Sequence, residues 1–109
     1  MAESNTEAMI VFCSFPDSET ACAIADTLVK EQLAACVQIS APMTSVYRWQ
    51  GEICHESEVA MQLKCSAAVY SALAQRLVAL HPYEVPELLA VTATAGLPAY
   101  LDWIKDNTK

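Results

Sequence analysis

Two glycines in 109 residues is the scarcest feature of this chain, and it closes off a large part of ligand chemistry. Gly51 and Gly96 stand far apart, so neither a phosphate-cradling P-loop nor a GxGxxG dinucleotide turn can be built. Basic residues are also few. Six Lys and Arg face thirteen Asp and Glu, for a net charge of −7 and a sequence pI of about 4.5. No cluster of cations offers the grouped positive charge that nucleic-acid binding needs, and an acidic membrane surface would repel the chain. GxSxG and HExxH patterns do not occur. A catalytic triad would have to be gathered in space around His55 or His81, so the chain is read as a non-enzymatic protein.

Long hydrophobic runs are missing as well. The stretch from Ala8 to Cys13 is too short for a signal core or a membrane span, and the first residues lack a positive start. The five cysteines, Cys13, Cys22, Cys36, Cys54 and Cys65, form no CxxC pair and are odd in number. That usage fits reduced thiols in a cytoplasmic protein better than a disulfide framework. Residues 1–7 are expected to be a flexible tail and residues 8–109 one domain with a single core. What the chain does have is apolar surplus: 54% hydrophobic residues and a mean hydropathy of +0.26. A surface partly covered by neighbouring subunits would account for it.

The main β signal is a ribbon from Thr44 to Cys65. Val46 to Trp49 climbs, Gln50-Gly51-Glu52 turns, and Ile53 to Lys64 descends with Val59, Met61 and Leu63 alternating against Glu58, Gln62 and Lys64. The descending arm is about twice a typical strand, whereas the other strand candidates, Met9 to Ser14 and Leu88 to Thr94, are short. An arm that outruns its neighbours leaves backbone groups unpaired, and oligomers satisfy such groups with another copy. A homo-oligomer joined through this ribbon is therefore expected. Asp17 is placed to cap a helix with the stripe Ala21, Ile24, Ala25 and Leu28. Cys36 to Ile39 returns to strand alternation, and Pro42 bends or ends it. Ser66 is read as the cap of a second helix with the stripe Val69, Leu73, Leu77 and Leu80, stopped by His81-Pro82. Gly96 and Pro98 precede a short C-terminal helix, with Tyr100 and Trp103 expected to seal it over a core or a neighbouring subunit. The order strand, helix, strand, strand, helix, strand predicts an α+β fold, the ferredoxin-like split βαβ sandwich with both helices on one face of an antiparallel sheet.

Functional residue types concentrate in His81-Pro82-Tyr83-Glu84-Val85-Pro86-Glu87, where two prolines stiffen a connector. His81 reads either as a helix-terminal cap or as a ligand, and Glu84 and Glu87 either as solvated carboxylates or as site residues. Cys13, at the end of the first strand, is either a core thiol or a soft donor that could approach His81; thiol and imidazole together suit copper or zinc. Tyr47 and Trp49 share one ribbon face and suit interface anchoring. Lys64 could meet Glu58 or Glu87 across a subunit boundary. A small anion or metabolite in an intersubunit cleft near Lys64, Tyr83 and Glu87 is the alternative to metal binding.

Taken together, Glu31 to Val37, Ser45 to Ile53, the Glu58 to Lys64 arm, His81 to Glu87 and Tyr100 to Trp103 make the chain similar to the CutA family of divalent-cation-tolerance proteins, from Met9 to Trp103. The resemblance implies a ferredoxin-like homotrimer built by edge-strand pairing and a role in tolerance to copper and other divalent cations. It also implies a copper site that falls on Cys13 and His81. One member of the family carries a further histidine just before the position of His81; Leu80 stands there in this chain, which removes one ligand. The family resembles nitrogen-regulatory signalling trimers, so a cleft near Lys64, Tyr83, Glu84 and Glu87 is implied as a place for a small effector. Tyr47, Trp49 and Trp103 are the expected oligomer contacts.

Overall fold

The computed structural model describes residues 7–109; residues 1–6, most of the expected tail, lie outside the described residues. Along the chain come β1 (Ala8–Phe15), α1 (Ser18–Lys30), β2 (Cys36–Ile39), β3 (Met43–Trp49), β4 (Glu52–Ser66), α2 (Tyr70–Leu80), β5 (Leu89–Ala93) and α3 (Pro98–Asp106). The sheet is antiparallel in the order β2-β4-β1-β5, with β3 pairing the far half of β4. The ferredoxin-like reading holds, with β2 and β3 acting as one strand broken at Ser40-Ala41-Pro42.

Period-two patterning decides which face is dry. Val11, Cys13 and Phe15 of β1, with Val59, Met61, Leu63 and Cys65 of β4, are all buried in one cluster with Ala21, Ile24, Ala25 and Leu28 of α1 and Leu73 and Leu77 of α2. Both helices therefore cover the same face. The alternate residues of β1 and β4 lie on the uncovered face. α1 begins as the sequence indicates: Asp17 is extended and its side chain accepts from the Thr20 amide at 2.7 Å. That bond holds the Asp17 carboxyl below its usual range. With so little glycine in the chain, Gln32 takes the left-handed position after α1 at φ 60°, where the Leu33 amide returns to the Leu28 carbonyl at 3.0 Å.

In the C-terminal half one expectation needs correction and another loses one of its two alternatives. Ser66 does not cap α2, which is preceded by a 3₁₀ turn at Ala67–Val69. Its backbone amide instead donates to the Thr108 hydroxyl at 3.1 Å, and the two hydroxyls meet at 3.0 Å, which ties the chain's end to the sheet. Tyr100 and Trp103 do not seal α3 over the chain's own core either. Both are exposed and stack on each other with centroids 5.7 Å apart, while Ile104 turns inward.

The ribbon outruns the sheet as its length predicts. β1 ends where Phe15 faces Val59, so Glu52 to Glu58 pair with β3 on one side only. The hairpin turns at Gln50 and Gly51, with φ of 52° and 82°, the two left-handed residues of a type I′ turn that fits strand twist.

Candidate functional site

The end of β1, the base of the ribbon and the connector after α2 meet at one place. Pro82 keeps His81 out of the helical region (φ −72°, ψ 139°), and the chain folds back so that the His81 ring stacks on Phe15 with centroids 4.3 Å apart. Its Nδ1 accepts the Tyr83 amide proton at 3.1 Å. The ring proton is thereby assigned to Nε2, which donates to the Ser14 carbonyl at 2.7 Å. The Cys13 thiol donates weakly to that same carbonyl at 3.8 Å. Burial pushes this thiol up to about 12, with Glu87 and Glu58 adding to the effect against the Ser14 bond.

The structure thus brings Cys13 and His81 to one oxygen atom, but in a form poorly suited to a metal. Both imidazole nitrogens are engaged and the thiol holds its proton. Among the described residues, no group of three or more His, Cys, Asp or Glu is positioned to hold an ion. An ion at this place would have to displace the Ser14 or the Tyr83 hydrogen bond and deprotonate Cys13.

Beside this corner lies a cleft of about 590 Å³. Its floor is Ser14 and Glu58, one wall is Ser45, Tyr47 and Trp49 of β3, and the other is the connector with Pro82, Tyr83, Glu84, Val85 and Glu87. The register explains the first wall. Ser45, Tyr47 and Trp49 lie opposite Glu56, Cys54 and Glu52, and Met43 lies opposite Glu58, so one ribbon face gathers aromatics and carboxylates. Arg48, opposite Ile53, belongs to the other face. At the cleft's base the Tyr83 hydroxyl donates to Glu58 Oε2 at 2.7 Å. Burial first, and then Glu58 through this bond and its charge, raise the Tyr83 phenol well above its ordinary value. Glu58 is only 8% exposed and no Lys or Arg lines the cleft.

Of the expected cleft residues, Tyr83, Glu84 and Glu87 come together with Tyr47 and Trp49. Lys64 lies six residues further along β4 from Glu58, about 20 Å at strand rise, where its amine donates to the Gln38 side chain. Trp103 is on α3, and Thr108, two residues past that helix, is bonded to Ser66 at the end of β4 away from the ribbon. Sequence reasoning missed Ser14 and Ser45 as lining residues and offered Glu58 only as one of two alternative partners for Lys64 across a subunit boundary. The available signal for Glu58 was its place as the first polar-face residue of β4 beyond the reach of β1.

Comparison with known proteins agrees with this geometry. The family model described as CutA1 divalent ion tolerance protein matches residues 9–107. The divalent-cation tolerance protein CutA of Thermus thermophilus is 43% identical over 99 residues, 91% of this chain and 96% of its own length. The crystal structure of CutA1 from the psychrotrophic bacterium Shewanella sp. SIB1 has a TM-score of 0.90 at 46% identity, covering 94% of this chain and 95% of that one. The Archaeoglobus fulgidus CutA structure, described as a periplasmic divalent cation tolerance protein, has a TM-score of 0.89 at 31% identity over 94% of this chain and 99% of its own. Fold, register and sequence lead to one conclusion: the chain belongs to the CutA1 divalent ion tolerance family.

Proposed function

We propose that the protein is a homotrimer that takes part in the response to divalent metal ions by binding rather than by catalysis, and that it contacts copper or another divalent cation weakly. The observation that carries the metal reading is the convergence of Cys13 and His81 on the Ser14 carbonyl. Weakness follows from what an ion must displace there and from Leu80 in place of a further imidazole. Assembly is supported by the unpaired edge of Glu52 to Glu58 and by exposed Val46, Tyr47, Trp49 and Ile53 on the ribbon; Trp103, also exposed, is a further contact in this reading. The five free thiols favour a reducing compartment, the cytoplasm. No helix is long and apolar enough to cross a membrane among the described residues.

Calorimetric titration with Cu(II) and with Cu(I) under reducing conditions tests the site. Wild type is expected to bind and the Cys13→Ala, His81→Ala double variant to bind more weakly; superimposable curves would remove both residues from the function. Light scattering tests assembly, and a folded particle of single-chain mass would end the trimer reading. A second reading is favoured by the cleft itself: a trimeric signalling or scaffold module in which Tyr83, Glu84 and Glu87, with Lys64 brought from another copy, hold a small effector between subunits. A thermal-shift screen that responds to metabolites and not to metals would select it.

A further inference from the structure

Glu58 is the most unusual charge in the protein. The residue is more than nine-tenths buried, yet among the described residues its carboxylate is met only by a neutral hydroxyl, that of Tyr83. Arg76 pairs with Glu31, Lys64 with Gln38, and Arg48 projects from the opposite ribbon face. His81 does not meet Glu58: its Nδ1 accepts the Tyr83 amide proton and its Nε2 faces the Ser14 carbonyl. A buried carboxylate without a cation is costly, and Glu58 borders an open cleft whose other charges, Glu84 and Glu87, have the same sign. Three π faces, those of Tyr47, Trp49 and Tyr83, line the same space. Carboxylates and aromatic rings facing one cavity are the two features that attract an organic cation: the first by charge, the second by the negative face of the ring. Among the residues of this chain that line the cleft, every charged group would repel an anionic effector.

We propose that this cleft is a binding site for a small alkylammonium ion, its cationic head held against Glu58 and Tyr83 and its alkyl part against Tyr47 and Trp49. This rests on the effector-cleft reading above, with the positive charge coming from the ligand instead of from Lys64 of another copy, and gives that reading a ligand class. It also accounts for Glu58 keeping a neutral partner, since the missing positive charge arrives with the ligand.

The test uses the full-length assembled protein at low ionic strength. Choline, putrescine and dimethylbutanol (the uncharged carbon isostere of choline) are titrated by calorimetry against wild type, Glu58→Gln and Trp49→Leu. Saturable binding of choline or putrescine is expected, with the stronger of the two separating a caged quaternary head from a hydrogen-bonded primary amine. Dimethylbutanol should bind at least about tenfold more weakly, and Glu58→Gln, which keeps an acceptor for Tyr83, should weaken the cation by about tenfold or more. Trp49→Leu should weaken choline more than putrescine. Equal binding of choline and dimethylbutanol, or an unchanged affinity in Glu58→Gln, would overturn the cation assignment while leaving an effector cleft in place. Cation binding seen only in Lys64→Gln would mean that a neighbouring copy already supplies the charge, and would overturn it too. No binding of any probe by an assembled protein that does respond to other metabolites would reject the ligand class alone; no response to any small molecule would reject the effector reading with it.

Discussion

Replacing Tyr83 by Phe removes a single hydroxyl whose hydrogen bond, at 2.7 Å, is the one that the Glu58 carboxylate accepts among the described residues. A hydrogen bond to a charged group contributes roughly 1.5–3 kcal/mol. The low end applies here, because Tyr83 is only half-buried and Glu58 borders the cleft. Tyr83→Phe should therefore destabilise the protein by about 1.5 kcal/mol. Glu58→Gln keeps an acceptor but removes the charge, which makes burial cheaper and the remaining bond an ordinary one of about 0.5–1 kcal/mol. In that background Tyr83→Phe should cost only the smaller amount, so the two substitutions should couple by about 1 kcal/mol. Urea unfolding of the four proteins at one fixed protomer concentration measures the cycle and holds any contribution of the proposed assembly constant. Ultraviolet titration of the phenolates gives a second readout: one of the four tyrosines should ionise well above the others in wild type and move part of the way back in Glu58→Gln, because burial acts on it before Glu58 does. A Tyr83→Phe cost that is the same in both backgrounds, with no change in the phenolate titration, would refute the charge-assisted bond.

Thiol chemistry should be selective: a disulfide reagent added to the native protein should modify exposed Cys22 and leave buried Cys13 and Cys65 untouched until unfolding. Alkaline pH should destabilise the fold through the same two residues. Their folded values, about 12 for Cys13 and about 11 for Cys65, lie above the ordinary 9.0. Their stabilisation is thus complete below pH 9 and is lost as pH rises from there through the folded values, and unfolding curves for Cys13→Ala with Cys65→Ala should show a shallower alkaline slope. Gly51→Ala should cost about 1–2 kcal/mol from its left-handed backbone alone, because an added Cβ would meet nothing within 4 Å at φ 82°. Chemical denaturation checks this against Gly51→Asn, which tolerates the left-handed region and should lose less than Gly51→Ala; equal losses would refute the backbone argument.

Locally determined features were legible in the sequence. The α1 stripe of Ala21, Ile24, Ala25 and Leu28 is the buried set, and Val59, Met61 and Leu63 face the core as their alternation requires, because periodicity and capping act within a few residues. Features set by distant partners were not. Ser66 has the composition of a helix cap, but Thr108, 42 residues away, takes its hydrogen bonds. On α3, several apolar residues compete for the inward direction, and contact with the sheet selects Ile104 over Tyr100 and Trp103. The connector from His81 to Glu87 was recognisable as a functional segment by its residue types, whereas the ribbon wall that completes the cleft comes from residues some 35 positions earlier and depends on the register between β3 and β4.

One length mismatch links the proposed assembly to the proposed site. β1 ends at Phe15 opposite Val59, so Glu58 is the first residue of β4 without a neighbour on that side. From this point outward the backbone edge is open, and at this same point the connector closes over the end of β1 through His81 and Ser14. The free edge that favours pairing with another copy and the buried carboxylate that favours a cation are therefore adjacent consequences of a strand that stops early. A neighbouring chain that pairs with Glu52 to Glu58 would also set the spacing between the ribbon wall and the connector wall of the cleft. Occupancy and assembly should then be linked thermodynamically: a ligand that bridges Glu58 and Tyr47 favours the ribbon position in which the edge is held, and stabilises the oligomer by as much as the oligomer tightens the ligand.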